Sequence, residues 1–206
     1  MNNTPTNQNE NKQNNQPQTS KSLKTGNFSS LTRKMCFCAV MAAMYVVLDI
    51  LASYLSAVFG GSIKISLSGL PVIIAAIFLN PLWGALTGFV GAFIGQLLSP
   101  YGLTATTLLW TMPAVIRGIT IGLLFIAFKR SLNPIILSIQ TVISSLLVTA
   151  ANTFVMYADS KIFGYYSYVY VFGGIVPRVI IGVITAIVFA LIVPPIINLL
   201  NKQLKF

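Results

Sequence analysis

Arg117 and Arg178 lie inside otherwise uncharged apolar stretches of a 206-residue chain that has only three acidic residues. Placing a guanidinium at the centre of a lipid-embedded helix costs at least about 2.5–3.5 kcal/mol. Each arginine therefore needs a partner, and the one acid within an apolar stretch to which we assign that role, Asp49, can neutralise only one of them. Two arginines less one aspartate leave a formal charge of +1, or +2 with Lys64. The remaining negative charge is expected on a mono- or dianionic ligand. Trp110 precedes Arg117 by seven residues, which is two helical turns and roughly the same face. An indole above a guanidinium suits a ligand with a flat ring at one end and an anion at the other, because the ring stacks and the fork of the arginine fits a carboxylate or phosphate.

Composition supplies the frame for these residues. The chain is 55% hydrophobic and 8% charged, with mean hydropathy +0.81. These values describe an all-α integral membrane protein, not a soluble domain. A crossing takes roughly 20 residues, which leaves room for six transmembrane helices and none for a soluble catalytic domain. The expected spans are 35–58, interrupted by Asp49, then 70–79, 82–98, 106–128, 135–158 and 169–193. Asn80-Pro81, Ser99-Pro100-Tyr101-Gly102 and Asn133-Pro134 mark turns, Pro113 predicts a kink, and Pro194-Pro195 is expected to end the last span. Residues 1–27 are rich in Asn and Gln and poor in large apolar side chains, so they read as a disordered polar tail ahead of a membrane domain over 28–206.

Orientation follows from the basic residues. With the N-terminus in the cytoplasm, Lys12, Lys21, Lys24, Arg33, Lys34, Lys129, Arg130, Lys202 and Lys205 fall inside, and only Lys64 and Lys161 outside. Both termini are then cytoplasmic. Arg117 lies near mid-membrane, and Arg178 and Asp49 lie in the outer half, which describes a pocket open to the outside. Tyr157, Tyr165, Tyr166, Tyr168 and Tyr170 fall at the outer interface, where amphipathic rings are favoured.

Smaller patterns add detail. Residues 62–68 alternate polar and apolar, which predicts an extended segment, either a lid carrying Lys64 or a plain loop. Gly84, Gly88, Gly91 and Gly95 form one small-residue stripe suited to close helix packing, with Gln96 beside it able to turn its amide to the pocket. Ala39 and Ala43 form a small face that packs internally or docks another membrane protein. Thr106 or Thr107 is placed to cap a helix. Cys36 and Cys38 are two apart on one helix and point in different directions, so neither a disulfide nor a metal site is expected. The chain has no histidine and no Gly-x-x-x-x-Gly-Lys-Ser/Thr loop. General acid–base catalysis, a proton relay and ATP hydrolysis by that loop are all poorly supplied, and the net charge of +10 sits mostly at membrane edges, where it is no nucleic-acid signature.

Several segments together resemble the substrate-binding S component of an energy-coupling factor (ECF) vitamin transporter, in its folate branch. They are Ala39-x-x-x-Ala43, Lys64-Ile65-Ser66-Leu67-Ser68-Gly69-Leu70-Pro71, Tyr101-Gly102-Leu103-Thr104 through Trp110 to Pro113, Arg117-Gly118, and Pro177-Arg178. The resemblance covers roughly residues 30–200. It implies the S-component fold in the bacterial cytoplasmic membrane and a non-enzymatic protein without cofactor. Folate would be captured from outside, and a transmembrane coupling subunit and two cytoplasmic ATPases would drive its uptake. Ala39 and Ala43 would dock the coupling subunit. Arg117, Arg178 and Lys64 would meet the folate carboxylates, or a guanidinium the pterin carbonyl. Trp110 and a tyrosine such as Tyr157 would stack on its rings. Gln96, Asn152, Ser66, Ser68, Thr106 and Thr107 would supply polar contacts. Two rival expectations stand beside this one: the same fold with another anionic vitamin such as pantothenate, and an autonomous secondary carrier coupled through Asp49.

Overall fold

A computed structural model describes residues 31–58, 67–99 and 102–203. They form seven α-helices and no strand: α1 (Leu31–Val58), α2 (Gly69–Phe78), α3 (Pro81–Leu97), α4 (Thr107–Ala127), α5 (Pro134–Ile162), α6 (Tyr168–Phe172) and α7 (Ile175–Gln203). By length and composition α1, α4, α5 and the stretch Tyr168–Leu200 can each cross a membrane, whereas α2 and α3 are shorter apolar helices. The expected second and third spans are these two short helices. The 1–27 tail, Lys64, Ser66 and most of the alternating 62–68 segment lie outside the described residues; Ser68 itself is already helical in backbone conformation.

Local chemistry accounts for the boundaries. Asn80 is extended and Pro81 opens α3, where its missing N–H is no loss. Pro134 opens α5 in the same way, and the Asn133 side chain accepts the Ile135 N–H at 3.1 Å. At the end of α4, Lys129 and Arg130 adopt left-handed φ of 53° and 56°. The Arg130 N–H reaches back to Phe125 O at 2.8 Å, a helix-closing bond that places two cations at the negative end of the helix.

Two expectations at the C-terminal end are corrected. Pro194-Pro195 does not end the last span; both prolines lie inside α7, which runs on to Gln203. An apolar helix packed on neighbours tolerates the lost backbone bonds, and Val193 and Ile197 on either side of the prolines are fully buried. The start of that span is broken instead at Gly173-Gly174, between α6 and α7. The fifth span extends past Ala158 to Ile162, so Asp159 lies within a helix.

Every residue of α2 is buried. It is apolar on all sides, as a helix enclosed by others must be, and packs against α1, α3, α4 and α7. Ile73, Ile74 and Ile77 join Ile121 and Phe125 of α4, Leu137 of α5, and Phe189, Val193 and Ile197 of α7 in the core. The glycine stripe of α3 meets three helices. A Cβ on Gly84 would lie 2.5 Å from Ala76 Cβ, on Gly88 2.6 Å from Ala114 O, and on Gly91 2.8 Å from Tyr45 Cγ. The stripe thus brings α1, α2 and α4 close to α3, and α5 and α7 pack together on the other side of α4 and α2.

Candidate functional site

Between these groups of helices lies a cavity with two lobes. The first, about 440 Å³, is lined by Tyr45 and Asp49 of α1, Gln96 of α3, Trp110 of α4 and Met156 of α5, with Ser68 at the start of α2. The second, about 400 Å³, runs between α5 and α7 past Ile73 and Ile121 and is lined by Thr141, Ser144, Ser145, Thr149 and Thr185. Arg117, Val148, Asn152 and Arg178 line both and form the junction. Both volumes fall in the range of small-molecule sites.

The two arginines are brought together by different helices. Arg117, on α4, reaches the first residue of α2: a Cβ built on Gly69 would lie 1.6 Å from its Nη1. Only a glycine leaves that seat open. Arg178, on α7, folds back on Gly174, whose Cβ would lie 3.1 Å from its Nη2. Nη1 of Arg178 is buried and has no hydrogen-bond partner among the described residues. Both guanidiniums thus stand beside helix N-termini, which are themselves positive ends, so the junction is rich in donors and favours an acceptor or an anion.

Tyr45 shares a hydrogen bond with Ser68 and stands within electrostatic reach of both Asp49 and Arg117. Trp110 and Arg117, placed on one face by their spacing, both line the first lobe. The Trp110 Nε1–H donates to Asp159 Oδ1 at 3.4 Å. The same carboxylate accepts from the hydroxyls of Thr106 and Tyr165. Asp159 thereby ties the start of α4 to the end of α5 and to the connection that follows. This holds the Tyr165 phenol above its ordinary value of 10.0, first through the hydrogen bond to Asp159 and then through burial and the carboxylate charge.

Of the residues singled out from sequence, Arg117, Arg178, Trp110, Gln96, Asn152 and Ser68 line the cavity. Thr106 precedes α4 without a capping bond and is spent on Asp159. Thr107 accepts the Thr104 N–H at 2.8 Å. Both threonines are buried away from the cavity lining. Tyr157 stacks edge-on with Tyr166 at 5.6 Å, and Lys161 Nζ lies 4.4 Å from the Tyr166 ring centre, so these rings form an aromatic cluster beside the site. Ala39 and Ala43 are both exposed on α1. Cys36 is exposed and Cys38 buried, both as free thiols.

Sequence reasoning missed Asp159, Tyr45 and the hydroxyls of the second lobe. Thr141, Ser145 and Thr149 recur every four residues in an apolar helix, a polar stripe that marks one face. Tyr45 precedes Asp49 by four residues and shares its face.

A family model described as "ECF-type riboflavin transporter, S component" matches residues 29–202. No curated protein and no solved structure matches the chain.

Proposed function

The chain belongs to the ECF-type riboflavin transporter S component family, and we propose that its cargo is a flat heteroaromatic vitamin, riboflavin in the first instance. It is thus a substrate-binding subunit of a transporter, embedded in the membrane, and not an enzyme. In this reading the cytoplasmic termini leave the pocket open to the outside. Ala39 and Ala43 on the exposed face of α1 dock a coupling subunit, and two partner ATPases supply the energy.

The observation that carries the cargo reading is the junction. Two guanidiniums, one with a buried Nη1 that has no partner among the described residues, line the cavity together with Asn152 where the two lobes join. The isoalloxazine ring of riboflavin is flat and carries two carbonyl oxygens on either side of an N–H. The guanidiniums donate to the carbonyls, Asn152 accepts from the N–H, and Trp110 and Tyr45 flank the ring. The description of the family supports the same vitamin.

A second reading, folate, is favoured by charge. Among the described residues Asp49 is the one acid lining the cavity, against two arginines, and the two carboxylates of folate would offset that excess. Pantothenate and an autonomous carrier coupled through Asp49 draw no comparable support, since the first has no ring for Trp110.

Calorimetric titration of the purified full chain with riboflavin, folic acid and pantothenate decides among them. Riboflavin is expected to bind 1:1, and Arg178→Gln to weaken it by about 10- to 150-fold, the value of a charge-assisted hydrogen bond. Folic acid binding in its place overturns riboflavin and establishes the second reading. Binding of neither ring by folded protein overturns both.

A further inference from the structure

One end of the bundle gathers cations around an apolar floor. Phe37 of α1, Leu132 of the α4–α5 connection, and Ile196 and Leu200 of α7 all pack against the same core cluster. Phe37 also stacks on Phe78, the last residue of α2, with ring centres 5.4 Å apart. The start of α1, the end of α7 and the α4–α5 connection therefore stand at one level, and basic residues flank the packed side chains. Lys34 precedes Phe37 in α1, Lys129 and Arg130 precede Leu132, and Lys202 follows Leu200 in α7. The turn that carries Lys129 and Arg130 is tied to the interior, because the Arg130 N–H closes on the carbonyl of Phe125, a core residue. The acids among the described residues are remote. Asp49 follows Lys34 by 15 residues of α1, about 22 Å of helix, and Asp159 follows Pro134 by 25 residues of α5, about 37 Å.

Cations gathered at one level without an acid beside them attract anions, and the neighbouring surface says of what kind. Ile126, Phe128, Ile135 and Leu199, which lie within a turn or two of the cations in sequence, are all exposed. A soluble anion would cover the charges and leave these side chains bare. A phospholipid covers both, with its phosphate on the cations and its acyl chains along the apolar side chains. The guanidinium of Arg130 fits phosphate oxygens two at a time, and the lysines add point charges whose pull is strongest close to the headgroup. We propose that this end of the bundle is a binding site for anionic phospholipid headgroups, held by Lys34, Lys129, Arg130 and Lys202. It does not depend on the cargo, and in the orientation proposed above it faces the cytoplasmic leaflet. Lys161, near the far end of α5, differs in kind: its Nζ lies over the rings of Tyr166 and Tyr157, at 4.4 and 5.9 Å from their centres.

The chain carries its own reporter. Of its two tryptophans, Trp83 packs against Cys38, Phe78 and Leu79 at the cationic end, and Trp110 lines the cavity. In a Trp110→Phe background the emission therefore comes from the cationic end alone. The full chain is placed in phosphatidylcholine vesicles that hold an equal fraction of either dibrominated phosphatidylglycerol or dibrominated phosphatidylcholine. Phosphatidylglycerol is expected to quench as though enriched at least about fivefold, the pull of a single cation near an anionic headgroup. Lys129→Gln/Arg130→Gln/Lys202→Gln is expected to remove that excess and keep the phosphatidylcholine quenching, which also shows that Trp83 has not moved. Lys161→Gln is expected to change neither. In the chain with both tryptophans, Tm is expected to be higher in phosphatidylglycerol than in phosphatidylcholine vesicles, and the triple variant to lose that difference. Equal quenching by the two lipids, or an excess that survives the triple variant, overturns the site. An excess that Lys161→Gln abolishes as well overturns it in favour of net charge. An excess removed by glycerol phosphate, beyond what sodium chloride of the same ionic strength removes, overturns the lipid in favour of a soluble anion.

Discussion

Gly69→Ala separates binding from stability in this protein. The new Cβ would fall 1.6 Å from Arg117 Nη1 and 2.7 Å from its Cζ. Atoms that close cannot coexist, but the obstructing group is the end of a long side chain, so the arginine swings away while α2 stays. Alanine is preferred to glycine by up to about 1 kcal/mol in a helix interior and by less at a first residue such as Gly69, a gain that offsets part of the cost of moving the arginine. Thermal stability should therefore change little. Binding should fall, because the guanidinium leaves the junction; a charge-assisted hydrogen bond is worth about 1.5–3 kcal/mol, or roughly 10- to 150-fold in Kd. Gly118→Ala supplies the contrast. Its Cβ would lie 2.4 Å from the Gly84 carbonyl carbon, which is backbone and cannot swing, so that variant should lose stability by about 1–3 kcal/mol as overpacked sites do. The assay is calorimetric titration with the vitamin alongside differential scanning fluorimetry of each variant in the same detergent. Gly69→Ala that is folded and binds as tightly as the wild type would refute the seating of Arg117.

Two further outcomes follow from the Asp159 network. Asp159→Asn removes the charge that gathers Thr106, Trp110 and Tyr165; it is expected to cost about 1.5–3 kcal/mol of stability and to shift the Trp110 fluorescence in a Trp83→Phe background, and an unchanged spectrum would count against the network. The Tyr165 phenol is held above its ordinary 10.0, so the folded state keeps a proton that the unfolded state gives up. Its contribution is complete below that value and is lost as pH rises above it. The Tm advantage of wild type over Tyr165→Phe should therefore hold up to about pH 10 and shrink as the pH rises above it, and a constant difference would contradict the hydrogen bond.

The parts of the site that could be read from sequence are those where charge contradicts its surroundings. Arg117 and Arg178 stood out because nothing near them in sequence is polar enough to explain them, and the seven-residue spacing already put Trp110 with Arg117. Asp159 was hidden for the opposite reason: Lys161 and five tyrosines nearby made it look like part of a wet interface, and the carboxylate finds its partners 49 and 53 residues away. The hydroxyls of α5 were hidden by their ordinariness, since serine and threonine sit in apolar helices at little cost by bonding back to the preceding turn. Pro194-Pro195 misled because local preference speaks for a break, and burial of Val193 and Ile197 overrides it. Gly69 was legible only as a letter in a motif; that it is the seat of Arg117 is a fact of tertiary approach alone.

The enclosure of α2 bears on how the protein comes into being. Ten residues of helix measure about 15 Å, half of a hydrocarbon core of about 30 Å. A segment that short cannot be released into lipid by itself, because the backbone groups at its ends would face hydrocarbon unsatisfied. The four long segments can each enter independently. α2 must instead wait for them and take its place as they close around it, coupled through Asn80-Pro81 to α3. The arginine seat at its first residue is then among the last parts of the molecule to exist, and the junction of the two lobes is complete only when assembly is.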